Sequence, residues 1–74
     1  MSELRQKEIL HMQIRLFRLA WMKWGVGLEK CAEWFDRFQV DRYISECYEI
    51  FHVQGDDVNL GEVARYLKSQ GAEL

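Results

Sequence analysis

Few side chains in this 74-residue chain stand at spacings that chemistry requires. Cys31 and Cys47 are separated by sixteen residues, which is neither a CxxC pair nor the spacing of a zinc site. Both fall on the apolar stripes of their segments, so they read as buried structural thiols. His52 lies five residues after Cys47. On a helix those two positions do not share a face, so a metal pair is not expected there. Glu46 and Glu49 are three apart. Paired carboxylates do acid–base work only in a pocket that shifts their pKa values, and a solvated helix face is the simpler reading. Asp56-Asp57 lacks the spacing and terminal Glu of a calcium loop and reads as a turn. No nucleophile–base pair, metal set or phosphate loop emerges, so neither catalysis nor a cofactor is expected.

The elements that would position these groups are helical. Proline is absent and glycine supplies the punctuation, at Gly25, Gly27, Gly55 and Gly71. The pattern predicts helices over about residues 2–24, 28–38, 41–54 and 60–70, hence an all-α fold with one long N-terminal helix and three shorter ones in a small bundle. In the first, Leu10, Ile14, Phe17, Trp21 and Trp24 recur at steps of four, three, four and three, and Ile9, Met12, Leu16, Leu19 and Ala20 widen that apolar face. His11, Arg15 and Arg18 form the opposite stripe. In the second, Leu28, Cys31, Ala32, Phe35 and Phe38 form the inner stripe. Asp41 is a good N-cap for the third. Asn59 and Glu62 have capping-box spacing for the fourth, and 72–74 read as a frayed tail.

Composition narrows the function classes. The chain is 49% hydrophobic and 14% aromatic, more large apolar surface than a small monomer easily hides. Net charge is −2, but residues 1–30 carry six cations against three acids and residues 31–74 carry four against nine. The halves therefore stand at +3 and −5, and opposite signs favour packing of one on the other. Overall acidity disfavours a nucleic-acid partner, because phosphate binding needs a concentrated basic face. No run is long and apolar enough for a membrane span, and a cytoplasmic setting is expected.

The segment Tyr43-Ile44-Ser45-Glu46-Cys47-Tyr48-Glu49-Ile50-Phe51-His52-Val53-Gln54-Gly55 resembles a family of small bacterial proteins classified only as a domain of unknown function. Its members carry a Tyr-Ile-x-Glu-Cys-Tyr-[Asp/Glu]-x-Leu-His-Thr-Gln-Gly signature. Phe51 and Val53 depart from it, and the resemblance extends from Lys7 to Gly71. It implies an accessory protein, in some cases encoded beside proteins resembling ADP-ribosyltransferases, with an adaptor or antitoxin-like role. No catalytic residue carries over.

The expectation is thus a protein-interaction module. Three short helices cover only part of a helix of about 20 residues, some 30 Å long. The surplus face, through Leu10, Ile14, Phe17, Trp21 and Trp24, would meet a second copy or a partner protein. The alternative is a small DNA-associated regulator. It rests on the His11, Arg15 and Arg18 stripe alone, because the would-be recognition helix carries Asp41, Glu46 and Glu49 against Arg42.

Overall fold

The computed structural model describes residues 2–74, and among them all regular structure is helical. Helix α1 spans Glu3–Trp24, α2 Leu28–Arg37, α3 Val40–Glu46, α4 Tyr48–Phe51 and α5 Asp56–Ser69. The molecule measures 35 × 21 × 20 Å. At 1.5 Å per residue the 22 residues of α1 extend about 33 Å. One helix therefore runs the full length, and α2, α3 and α5 all pack on it.

The ends of α1 follow from local chemistry. The Ser2 hydroxyl accepts from the Arg5 amide at 3.1 Å and caps the first turn. Gly25 closes the helix in the left-handed region at φ 67°, and Gly27 reaches φ 84° before α2. A Gly-Val-Gly turn permits both, since a Cβ at either position would strain the backbone. The α2–α3 turn is tighter. There Gln39 adopts φ 55° without being glycine. Its side-chain amide donates to the Asp36 carbonyl at 3.0 Å, which offsets part of the roughly 1 kcal/mol of left-handed strain.

The core-facing line of α1 is Ile9, Met12, Leu16 and Ala20. It meets Cys31, Trp34 and Phe35 of α2, Val40 and Ile44 of α3, Tyr48 and Phe51 of α4, and Leu60, Val63 and Leu67 of α5. Phe17 sets its ring edge-on to Phe35 at 5.1 Å. Leu28 and Ala32, expected on the inner stripe of α2, are exposed, and Trp34 is buried in their place.

Several boundaries differ from the sequence reading, among them the end of the third expected helix, which stops at Phe51 and not at residue 54. The expected helix over 41–54 begins one residue earlier and breaks at Cys47, whose amide is shared between the Tyr43 and Ile44 carbonyls at 3.0 and 3.2 Å. Its N-cap is Gln39, and Asp41 lies in the first turn. The last helix starts at Asp56, not at residue 60, so Asp56 and Asp57 form its acidic first turn, where the helix dipole favours negative charge. Asn59 is consequently no cap. It lies inside α5, fully buried, and its Nδ2 donates to the Phe51 carbonyl at 2.8 Å. The Phe51 carbonyl, at the end of α4, also accepts from the Gln54 amide at 3.2 Å, so Asn59 takes its second acceptor site. The tail is docked, not frayed: Ala72 donates to the Leu67 carbonyl at 3.0 Å in a Schellman-type stop, and Ala72 and Leu74 pack against the core.

The opposite charges of the two halves meet across α1. Arg5 pairs with Glu49, Arg15 with Asp56 at 3.2 Å, and Lys23 with Asp57. Each pair joins the basic first half to the acidic second half. All are solvent-exposed, so they set orientation more than stability.

Candidate interaction surface

The five α1 residues singled out in the sequence lie about a third of a turn from the core-facing line. Leu10 is 52% exposed and Ile14 46%. Phe17, Trp21 and Trp24 are half-buried and lean on the core. Leu10, Ile14 and Phe17 form one wall of an open groove of about 420 Å³. Ala32 and Phe35 of α2 continue its apolar floor, and Asp36, Gln39, Asp41 and Arg42 stand along the far rim. Trp21 and Trp24 are not among its lining residues. Gln13 bridges the groove at its base, donating from Nε2 to the Asp41 carbonyl at 2.8 Å and tying α1 to α3.

The rim is electrostatically uneven. Among the described residues Asp36 and Asp41 make no ion pair, while Arg42 is paired with Glu46 at 3.7 Å. Protein packed beside the Asp41 carboxyl raises its pKa above the ordinary value by desolvation, although the residue as a whole is exposed. A partly desolvated, unpartnered carboxylate is favourably placed to receive a cation.

A second cluster lies on the other side of α1 and was not foreseen, because it joins residues about forty positions apart. The Tyr48 hydroxyl donates to Glu8, the Arg5 guanidinium lies 5.1 Å over the Tyr48 ring, and His52 stacks on that ring at 5.1 Å. Glu49 reaches both Arg5 and His52. The hydrogen bond to Glu8 raises the Tyr48 pKa first, with desolvation adding to it. The ring is buried and the hydroxyl sits at its wet edge. This is a latch that holds α4 on α1. Its hydroxyl, carboxylates and imidazole are engaged with one another, and only the Arg5 Nε is buried without a partner, which gives the cluster a structural role.

The remaining tyrosines are also structural. Tyr43 stacks on Tyr66 at 4.1 Å, and the Tyr66 hydroxyl donates to the Phe38 carbonyl at 2.6 Å, closing the end of α2. Burial, with Cys47 beside it, pushes the Tyr43 hydroxyl up to about 12. Among the described residues no group of three or more His, Cys, Asp or Glu is placed to hold a metal ion.

Residues 11–70 match a family described as a protein of unknown function, DUF3791. The chain belongs to this family. The DUF3791 match takes in every helix from His11 of α1 to the end of α5, and with them every groove-lining residue except Leu10. No curated protein matches the chain. No solved structure matches it either. Membership therefore brings this DUF3791 chain a fold-wide frame without an activity, and no helix among its described residues is long and apolar enough to cross a membrane.

Both cysteines are free, Cys31 buried and Cys47 half-buried. Burial raises the Cys31 thiol to about 11. Near pH 8 its thiolate is then scarce, so alkylation by iodoacetamide in the folded protein is expected to run at least about a hundredfold slower than in guanidine. Mass-spectrometric mapping of Cys31 modification against time checks this, and equal rates in the two conditions would remove Cys31 from the core.

Proposed function

We propose that this chain is a non-catalytic protein-interaction module whose working surface is the α1 strip of Leu10, Ile14 and Phe17, extended by Trp21 and Trp24. The observation that carries the reading is the groove beside that strip. Two large aliphatic side chains on a 22-residue helix are left about half exposed, next to an apolar floor and a polar rim. An apolar centre with polar edges is the anatomy of a docking surface. The partner is a second copy of the chain or another protein, such as one resembling an ADP-ribosyltransferase.

The alternative, a DNA-associated regulator, needs unpaired cations along one face. Of the His11, Arg15 and Arg18 stripe, Arg15 is instead engaged with Asp56 of α5, and the neighbouring Lys23 with Asp57, which among the described residues leaves Arg18 and Lys7 as the unpaired cations of that face. That pairing supports the protein-interaction reading over the phosphate one.

Replacing Leu10 and Ile14 together by lysine tests the surface. Both are exposed, so in dilute solution, where copies are apart, the variant is expected to keep its helical circular-dichroism spectrum and to melt within about 3 °C of the parent. It is expected to lose association, measured by sedimentation with itself and with the products of genes adjacent to its own. A parent protein that binds none of these at high micromolar concentration, or a variant that binds as well as the parent, would overturn the reading.

A further inference from the structure

Charge is unevenly distributed around α1. Around the helix from its buried line come, in order, the groove with its acidic wall, the apolar strip, and a basic edge. Lys7 and Arg18 form that edge, flanking Leu10 and Ile14 on the side away from α2 and α3 by helical periodicity. Among the described residues Lys7 and Arg18 make no ion pair, and neither do Asp36 and Asp41 on the opposite rim. Two unpaired cations and two unpaired carboxylates thus border one apolar strip, on opposite sides of it.

We propose that the groove receives α1 of a second copy of this chain, in a parallel two-fold pair that sets Lys7 and Arg18 of each copy against Asp36 and Asp41 of the other. The inference rests on the reading of this surface as an interaction site, and adds the partner and its orientation. A closed homodimer has one two-fold axis, and the same patch meets itself across it. If the axis runs along α1, the helices are parallel, and each basic edge is carried to the other copy's acidic wall. If the axis runs perpendicular to the plane of the two helices, they are antiparallel. The two basic edges then lie side by side, and so do the two acidic walls. Like charges brought together across an interface cost affinity, so the charge order selects the parallel pair.

The apolar spacing agrees. Steps of four, three, four and three from Leu10 to Trp24 keep two α-helices in register along a common seam. At about 33 Å, α1 spans nearly the whole 35 Å length of the molecule, so the seam can run along most of it. The desolvated Asp41 carboxyl then gains the cation that its own protomer does not supply.

Sedimentation equilibrium of the full chain, with circular dichroism as the control for folding, tests the pair. The parent is expected to be a dimer at micromolar concentration. Asp36→Lys with Asp41→Lys is expected to weaken it by about tenfold or more, and adding Lys7→Glu and Arg18→Glu to that variant to restore most of the loss. Asp41→Asn separates interface from fold. It removes an unpaired desolvated charge, so the isolated protomer should be no less stable while association falls; a purely structural residue would not give this split. For orientation, Leu10→Cys in a Cys47→Ser background is expected to form a covalent dimer on oxidation. In an antiparallel pair centred near Ile14 the two sites would stand about 12 Å apart along the helices, beyond disulfide reach. A monomer at high micromolar concentration, a charge-swapped variant that stays weak, or an absent cross-link each overturns the proposal. A monomer that binds a different protein through Leu10 and Ile14 would defeat this pair and leave the interaction surface standing. A dimer indifferent to Leu10 and Ile14 would defeat both.

Discussion

Asn59→Asp is expected to remove a large part of the protein's stability at neutral pH and to give most of it back in acid. Asn59 is fully buried, and the amide nitrogen lost in the substitution is the group that donates to the Phe51 carbonyl. An ionised carboxylate of the same shape would turn an acceptor toward that carbonyl and bury a charge without a partner. Such a charge costs about 3–5 kcal/mol. At roughly 0.05–0.15 kcal/mol per residue a chain of this length has only about 4–11 kcal/mol of stability. The other amide atom, Oδ1, already lacks a partner, so the site has no spare donor to offer a second oxygen. The pH dependence has a definite sign. Burial raises the folded-state pKa of the introduced carboxyl above its unfolded value near 4. Stability is therefore fully present below the unfolded value and lost as pH rises through the folded one. In its protonated form the carboxyl can again donate to Phe51. Urea midpoints for parent and variant, compared at each pH, check the prediction. A variant as stable as the parent at pH 7 would mean that Asn59 is hydrated, and that the α4–α5 junction is open to water.

Asn59 also shows where sequence reasoning stops. A lone Asn three residues before Glu is a sound helix-start signal, because both side chains can satisfy free amides there. Here the start was marked instead by Gly55-Asp56-Asp57, and Asn59 serves a carbonyl eight residues back. Only the turn between α4 and α5 creates that demand, and no local pattern encodes it. The break at Cys47 is similar: no glycine or proline marks it, the apolar spacing runs straight through it, and nothing in the structure explains why the helix divides there. What was legible is what short-range chemistry fixes. The extent of α1 follows from Ser2 and the Gly25–Gly27 turn, the all-α class from periodicity, and the pairing of a basic half with an acidic half from net charge. The groove was half legible. Leu10, Ile14 and Phe17 stood out, but its far wall of Asp36, Gln39 and Asp41 depends on a left-handed turn at a glutamine, which residue type does not announce.

Leu16→Ala and Leu10→Ala form the decisive pair for the inner side of α1. Apolar residues wrap more than half of this helix, so the sequence offers two candidate lines to the core, six residues apart in these two leucines. Leu16 has no exposed surface, whereas Leu10 is 52% exposed. Truncating a fully buried leucine removes its transfer energy and leaves a cavity, for about 2–5 kcal/mol. Truncating the exposed one in an isolated protomer should cost no more than about 0.5 kcal/mol. Urea denaturation in dilute solution, where copies are apart, measures both. Equal costs would mean that the core-facing line is wrongly placed. Concentration then adds a second reading to the same two variants. Association that involves only the folded protomer stabilises it by mass action. If α1 is the seam between copies, the penalty of Leu10→Ala grows as the protein is concentrated, because the lost contacts lie between subunits. The penalty of Leu16→Ala stays nearly constant, because its contacts lie within one. On that outcome one helix would carry two apolar lines with separable duties: Ile9, Met12, Leu16 and Ala20 holding the fold together, and Leu10 and Ile14, beside the half-buried Phe17, meeting the second copy.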